Sequence, residues 1–291
     1  MVTGPLDQIP LWCFLPLIVS VCLLTLEAGY RLGRWRHSCT AEEKEAPVAA
    51  MVAAVLGLLA FMLAFTFSMA ASRFDARRQA VLHEANAIGT AYLRTRLLPE
   101  PHGTEIASQL RRYTEFRARP LTPDNIAEVL AESEKLQDQM WSQAVAAAEL
   151  NRESIMTALF LESLNESIDL HSQRVFVGLY SRIPITIWLL LVGLVVLGMV
   201  SLGYHAGLST TRRSLEMPIF SLAFASVLYL IVDLDRAHEG LLRISQQAIV
   251  DLHRSMQAEQ QAGRIVYAQE RLGGVASARG ATKPLPNCVP M

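Results

Sequence analysis

Four stretches of this chain lack any Asp, Glu, Lys or Arg, and their lengths decide what it can become. Nineteen residues separate Asp7 from Glu27, 27 separate Glu45 from Arg73, 29 separate Arg182 from Arg212, and 16 separate Glu216 from Asp233. A helix needs roughly 20 apolar residues to cross a bilayer core. The first three runs suffice. In the fourth, Ser214 and Leu215 add length and the flanking charges can snorkel. The runs predict an all-α, four-span integral membrane protein with spans over 11–29, 48–71, 184–203 and 215–234.

The flanks support these spans. No Lys or Arg precedes the first one and no A-x-A-like site follows it, so it is expected to be a retained helix rather than a cleaved signal. Pro47, Pro184 and Pro218 stand near the first turns of spans two to four, where a missing N–H is harmless. Glu42, Glu43, Glu45 and Glu216 precede Pro47 and Pro218 and suit the positive ends of those helices.

Span two does not stop at the lipid. From Leu58 to Ile88 there is neither Gly nor Pro, and helix-favouring residues run on to Leu98 before Pro99 and Pro101. A helix from Pro47 to Leu98 would be about 75 Å long at 1.5 Å per residue, against about 30 Å of hydrocarbon. Its end must stand in water. A shorter helix is expected over 104–118. Thr122, Pro123 and Asp124 then resemble an N-cap, a first-turn proline and a first-turn acid. No Gly or Pro follows until Gly178, and apolar residues recur at helical spacing through Val129, Leu136, Met140, Leu159, Leu164 and Ile168. This predicts one long returning helix and a helical stalk between spans two and three. The expected organisation is spans one and two in 1–72, stalk in 73–183, spans three and four in 184–235, an amphipathic segment in 236–271 packing on the stalk, and a disordered tail in 272–291. The amphipathic face is formed by Ile244, Ala248, Ile249, Leu252 and Met256.

Several function classes lose support. Net charge is −1, so no basic field invites nucleic acid. The four cysteines form no CxxC pair. GxGxxG, P-loop and GxSxG patterns are absent. His83-Glu84 and His238-Glu239 begin like HExxH, but Ala87 and Leu242 stand where the second His would be. Nothing asks for a metal, a cofactor or an enzyme active site. Spans two and three hold no Asp, Glu, Lys or Arg, which argues against proton relays and voltage sensing.

The remaining candidates lie on span two and at the end of span four. Phe61 and Phe65 are one turn apart and share a face with Leu58, Ser68 and Ser72. They contact lipid or a packed core on one reading. On the other they form a subunit ring in which apolar side chains constrict a pore, hydroxyls aid rehydration, and electropositive ring edges favour anions. Arg73 and Arg77, beside Asp75 and Arg78, either anchor headgroups through local ion pairs or attract anions to a pore mouth. Glu84 and Asn86 suit a buried polar contact between helices. Asp233, Asp235 and Arg236 end span four. Acids at a helix C-terminus oppose its dipole, so a basic partner is expected from Arg73, Arg77 or Arg78.

LLAFMLAFTFSMAASRFDARRQAVLHEANAIGTAYLR (58–94) and DLDRAHEGLLRIS (233–245) resemble the bestrophin-like family of bacterial and plant membrane proteins, whose function is largely unassigned. The resemblance covers most of residues 48–250. The family often has Pro after DLDR, where this chain has Ala237. The label implies kinship or analogy with bestrophins, pentameric anion channels with four spans and a phenylalanine-lined neck on the second. Phe61 and Phe65 match that neck in part, while Gly57 stands where a further bulky residue is expected.

The expected partners are the lipid bilayer, further copies of the chain and small anions. The expected location is the cell (inner) membrane. Arg31, Arg34, Arg36 and Lys44 lie between spans one and two, and Arg212 and Arg213 between spans three and four. The positive-inside rule then places both connections in the cytoplasm and the termini and stalk outside. The resemblance implies the reverse. Two hypotheses remain: an oligomeric anion channel along span two, and a membrane-anchored helical scaffold or sensor without conduction.

Overall fold

Each charge-free run contains a helix in the structure, a computed structural model that describes residues 10–39, 45–119, 122, 125–209, 216–236, 242 and 244–262. The helices are α1 (Leu11–Cys39), α2 (Glu45–Arg94), α3 (His102–Ala118), α4 (Ile126–Leu150), α5 (Ile155–Leu179), α6 (Ile185–Leu208), α7 (Glu216–Asp235) and α8 (247–262). A 3₁₀ turn, Thr95–Leu97, closes α2. Among the described residues there is no strand. Helices α1, α2, α6 and α7 are long and apolar enough to cross a membrane. The protein is therefore all-α, with four spans and a long helical stalk between the second and third. Lys44, Pro123, Asp124, Arg212, Arg213, Ala237, His238, Glu239, Arg243 and the tail from 272 lie outside the described residues.

The 50 residues of α2 run without interruption. Arg31 sits within α1 and donates from Nε to Glu27 Oε1 at 2.8 Å, so three of the basic residues expected in a loop, Arg31, Arg34 and Arg36, belong to a helix.

The single returning helix expected after residue 122 needs correction: the structure breaks it between Leu150 and Ile155. Asn151 is extended (φ −152°, ψ 93°), its Oδ1 accepts the Glu153 N–H at 3.2 Å, and Ser154 Oγ accepts the Thr157 N–H at 3.2 Å. These are an Asx turn and an N-cap, which offer the backbone an alternative to continued helix. At the start of α4, the Thr122 N–H donates to Asn125 Oδ1 at 2.8 Å, and the helix begins at Ile126.

The chain divides into two compact units. One comprises Met1–Glu84 with Asp169–Ser245, the other Ala85–Ile168 with Gln246–Met291. In the first, α1 packs most extensively on α6 and also touches α7. Its core includes Leu59, Leu63, Leu191, Met199 and Ile231. Lipid is as apolar as leucine, so close packing rather than water exclusion holds such helices together. In the second unit, Ile106, Leu110, Tyr113, Leu136, Met140, Phe160 and Leu164 form a separate core, joined by Met256 and Leu252 of α8. That core faces water outside it, and burying each such side chain stabilises by about 1.5–3 kcal/mol.

Candidate functional site

Helix α2 has two faces, set by the 3.6-residue period. Val52, Leu59, Leu63, Thr66, Ala70, Arg77 and Glu84 are buried. Leu58, Phe61, Phe65, Ser68 and Ser72 form an exposed stripe, with Phe61 66% and Phe65 52% exposed. A Cβ placed on Gly57 would meet nothing within 4 Å, so the stripe is open there.

Arg73 and Arg77 do not share that stripe. Arg77 is 3% exposed. Its Nη2 donates to the Asp235 carbonyl at 3.1 Å and its Nη1 to the Arg236 carbonyl at 3.2 Å. Arg73, half-buried, donates from Nη1 to Ser181 Oγ at 3.3 Å and to the Arg182 carbonyl. Two roles were expected for this pair, headgroup anchoring through local ion pairs or attraction of anions to a pore mouth; instead both guanidiniums are turned onto backbone carbonyls. Their partners are the carbonyls that end α7 and lead into α6. The last four carbonyls of a helix have no intrahelical donor, and a cation suits that negative end.

Of the acids at the end of α7, Asp235 has the expected basic neighbours Arg77 and Arg73, together with Arg182, and both acids also accept backbone N–H groups. Asp235 Oδ1 accepts the Ile183 N–H at 3.0 Å, and Asp233 Oδ2 accepts the Leu242 N–H at 3.2 Å. Thus the carboxylates hold backbone donors while the arginines hold backbone acceptors. Arg182 Nη1 donates to the Asp235 carbonyl at 2.8 Å, and the Arg236 guanidinium lies 5.0 Å from the Phe14 ring centroid. Arg78 is exposed and takes no part.

Glu84 is fully buried and bridges to α5. It pairs with Arg174 Nη1, and His171 Nδ1 lies 3.6 Å from its other oxygen. Asn86 is exposed and does not join this cluster; its carbonyl accepts the Thr90 hydroxyl at 3.0 Å. Sequence reading marked Glu84 and missed His171 and Arg174, three residues apart on α5 and so on one side of it. Among the described residues, no three His, Cys, Asp or Glu side chains converge as a metal site would need.

A second feature missed in the sequence is the α1–α6 contact. A Cβ on Gly29 would fall 2.1 Å from the Val200 carbonyl oxygen, and one on Gly33 2.2 Å from that of Tyr204. Reciprocally, Gly203 would meet the Leu26 carbonyl oxygen at 2.1 Å and Gly207 that of Tyr30 at 2.4 Å. The signal was present as GxxxG at 29–33 and again at 203–207.

A family model described as Bestrophin-like domain matches residues 19–249. No curated protein matches. Solved structures similar to this one include a bacterial bestrophin homolog from Klebsiella pneumoniae, 17% identical, covering 84% of this chain and 96% of that one at a TM-score of 0.59. They also include a membrane protein P262A, 18% identical, covering 83% and 95% at a TM-score of 0.59. At such identity the structures speak for the fold, and the family model, which spans most of the chain, speaks for descent: this chain belongs to the bestrophin-like family.

Proposed function

We propose that the chain assembles as a homo-oligomer in the cell membrane and forms a small-anion pathway along α2. The observation that carries this reading is the exposed stripe of Leu58, Phe61, Phe65, Ser68 and Ser72, opposite a face packed into the core. A ring of such helices would set two aromatic turns above a turn of hydroxyls. Apolar constrictions gate by dewetting, and ring edges tolerate anions better than cations. With Arg73 and Arg77 turned inward, anion preference along the stripe falls to the aromatic edges and hydroxyls. The likeness to a solved bestrophin homolog supports the same reading.

Purified protein in chloride-loaded liposomes tests it. Wild type should release chloride faster than empty vesicles, and Phe61→Ala with Phe65→Ala should raise that rate about tenfold or more by widening the constriction. Absence of flux, or flux indifferent to both substitutions, would refute the pathway.

The scaffold reading rests on a different surface. Trp141, Val145, Leu150, Ile155 and Met156 are exposed around the α4–α5 turn, outside the spans. An apolar cluster in water is a place for a partner to bind. That reading predicts a dry bundle with no flux.

Orientation has its own test. We infer cytoplasmic connections, with the stalk outside, from the arginines that precede Cys39. Cys39 is exposed at the end of α1. In a Cys13→Ser, Cys288→Ser background, a membrane-impermeant maleimide should label Cys39 only after cells are permeabilised. Labelling of intact cells would reverse the topology.

A further inference from the structure

Helices α2 and α7 leave a trough between them in the membrane unit. Its volume is about 520 Å³, and its walls include Ala60, Ala64 and Phe67 of α2 and Ala223, Phe224 and Leu230 of α7. Every described lining residue is apolar. The volume falls in the range of small-molecule pockets, roughly 300–1,000 Å³, yet no described lining group could orient a polar guest. The walls lie near the middle of their charge-free runs, between Glu45 and Arg73 and between Glu216 and Asp233, so the trough sits at the depth of lipid tails. Ala60, Ala64 and Ala223 are exposed, so it is open to its surroundings. It follows residues 60–67 and 223–230, about 10 Å along each helix.

The occupant can be argued from these facts. A wholly apolar hollow stays dry, and an unfilled one forfeits dispersion contacts along its walls. Lipid tails are as apolar as leucine, so contact rather than apolarity selects the guest. A second copy of the chain fits less well. At about 100° per residue, the trough is centred about 130° round α2 from the stripe of Leu58, Phe61, Phe65, Ser68 and Ser72. In any closed ring with that stripe on the axis, neighbouring α2 helices stand less than a right angle from the inward direction. The trough then turns outward, toward lipid. That outward turn rests on the ring proposed above; the apolar lining and the depth do not.

We propose that this trough holds one acyl chain of a membrane phospholipid on each copy of the protein. The alanines, with side chains of one carbon, leave the room that the tail takes up, and larger side chains there would close it. Occupancy fills the space between the second and fourth spans and so braces the helix that carries Phe61 and Phe65.

The full chain, delipidated in detergent, is titrated with dibromostearoyl phosphatidylcholine and crystallised with it. One molecule per chain should bind saturably, and its bromines should give an anomalous peak between Ala64 and Ala223. Ala64→Phe should weaken binding about tenfold or more, the ordinary cost of overpacking. Gly193→Val, where an added Cβ meets nothing within 4 Å, should leave binding unchanged. Unsaturable uptake, undiminished binding by Ala64→Phe, or bromine only elsewhere on the spans would overturn the proposal by showing ordinary lipid contact. A peak without saturable binding in solution would mean binding at crystal concentration only, and would overturn it too. So would a neighbouring copy's side chain in the trough, which would make it an interface, or bromopalmitate binding there where the phospholipid does not, which would assign it to free fatty acids. Should Ala64→Phe fail to fold, Ala223→Leu makes a smaller addition on the other wall, and the wild-type titration and map still decide. Liposome chloride flux is a separate measurement, so this site and the pathway can fail apart.

Discussion

Gly203→Val is expected to unfold the membrane unit at temperatures where wild type is intact, with a loss of upwards of about 3 kcal/mol. The added atoms have nowhere to go. A Cβ at this position would sit 2.1 Å from the Leu26 carbonyl oxygen and 2.9 Å from the Tyr30 nitrogen, both backbone atoms that no rotamer change can move. Helices α1 and α6 would have to separate, and the loosened packing would reach Gly29, Gly33 and Gly207. Without a hydrophobic force between helices in lipid, close approach is the main attraction available, so a small separation is felt strongly. Gly193→Val is the control: its Cβ would meet nothing within 4 Å, and a change within about 0.5 kcal/mol is expected. Thermal unfolding in detergent, followed by intrinsic fluorescence, compares the two. Equal stability for Gly203→Val and wild type would mean that the helices do not meet there.

Glu84→Ala should be nearly as damaging, at about 3–5 kcal/mol, because it removes the carboxylate from a buried cation. Glu84 is fully buried and Arg174 is 8% exposed, so water cannot replace the lost charge. His171, 3.6 Å away, adds a second group that uses the same carboxylate. Glu84→Gln should be milder, since it keeps shape and one acceptor. The decisive measurement is a double-mutant cycle with Arg174→Met, which retains apolar volume while deleting the charge. Glu84→Gln with Arg174→Met should recover more than about 1 kcal/mol of the summed single losses. Additivity within about 0.3 kcal/mol would mean that the two side chains are not energetically coupled.

The broad architecture was legible because it depends on local quantities. A charge-free run of sufficient length forms a span whatever it packs against, and the absence of Gly and Pro from Leu58 to Ile88 carried α2 past the lipid. The α4–α5 break was also local, but its cue was weaker. Asn151 and Ser154 end and start helices through side-chain hydrogen bonds, without the forbidding geometry of proline. The site was only half legible. Helical spacing grouped Leu58, Phe61, Phe65, Ser68 and Ser72 on one face, as observed. It could not tell which way Arg73 and Arg77 point, because for Arg77 that depends on carbonyls at Asp235 and Arg236, 158 and 159 residues away in the chain. Their basic character predicted a negative partner; the Asp235 carboxylate is one, and the direct hydrogen-bond acceptors are backbone carbonyls at Asp235, Arg236 and Arg182. Arg174 and His171 were hidden for the same reason: nothing near them in sequence names Glu84.

The glycine contact also sets an order of events during synthesis. About 145 residues separate Cys39 from Ile185. At about 5–20 residues per second, α6 follows α1 by roughly 7–30 s. Through that interval the groove over Gly29 and Gly33 has no native occupant, and the nascent helix waits in the bilayer with its backbone carbonyls open to any other small-residue helix nearby. Newly inserted chains are thus most vulnerable to mispairing before their third span emerges, and crowded translation would aggravate the hazard more than heat would.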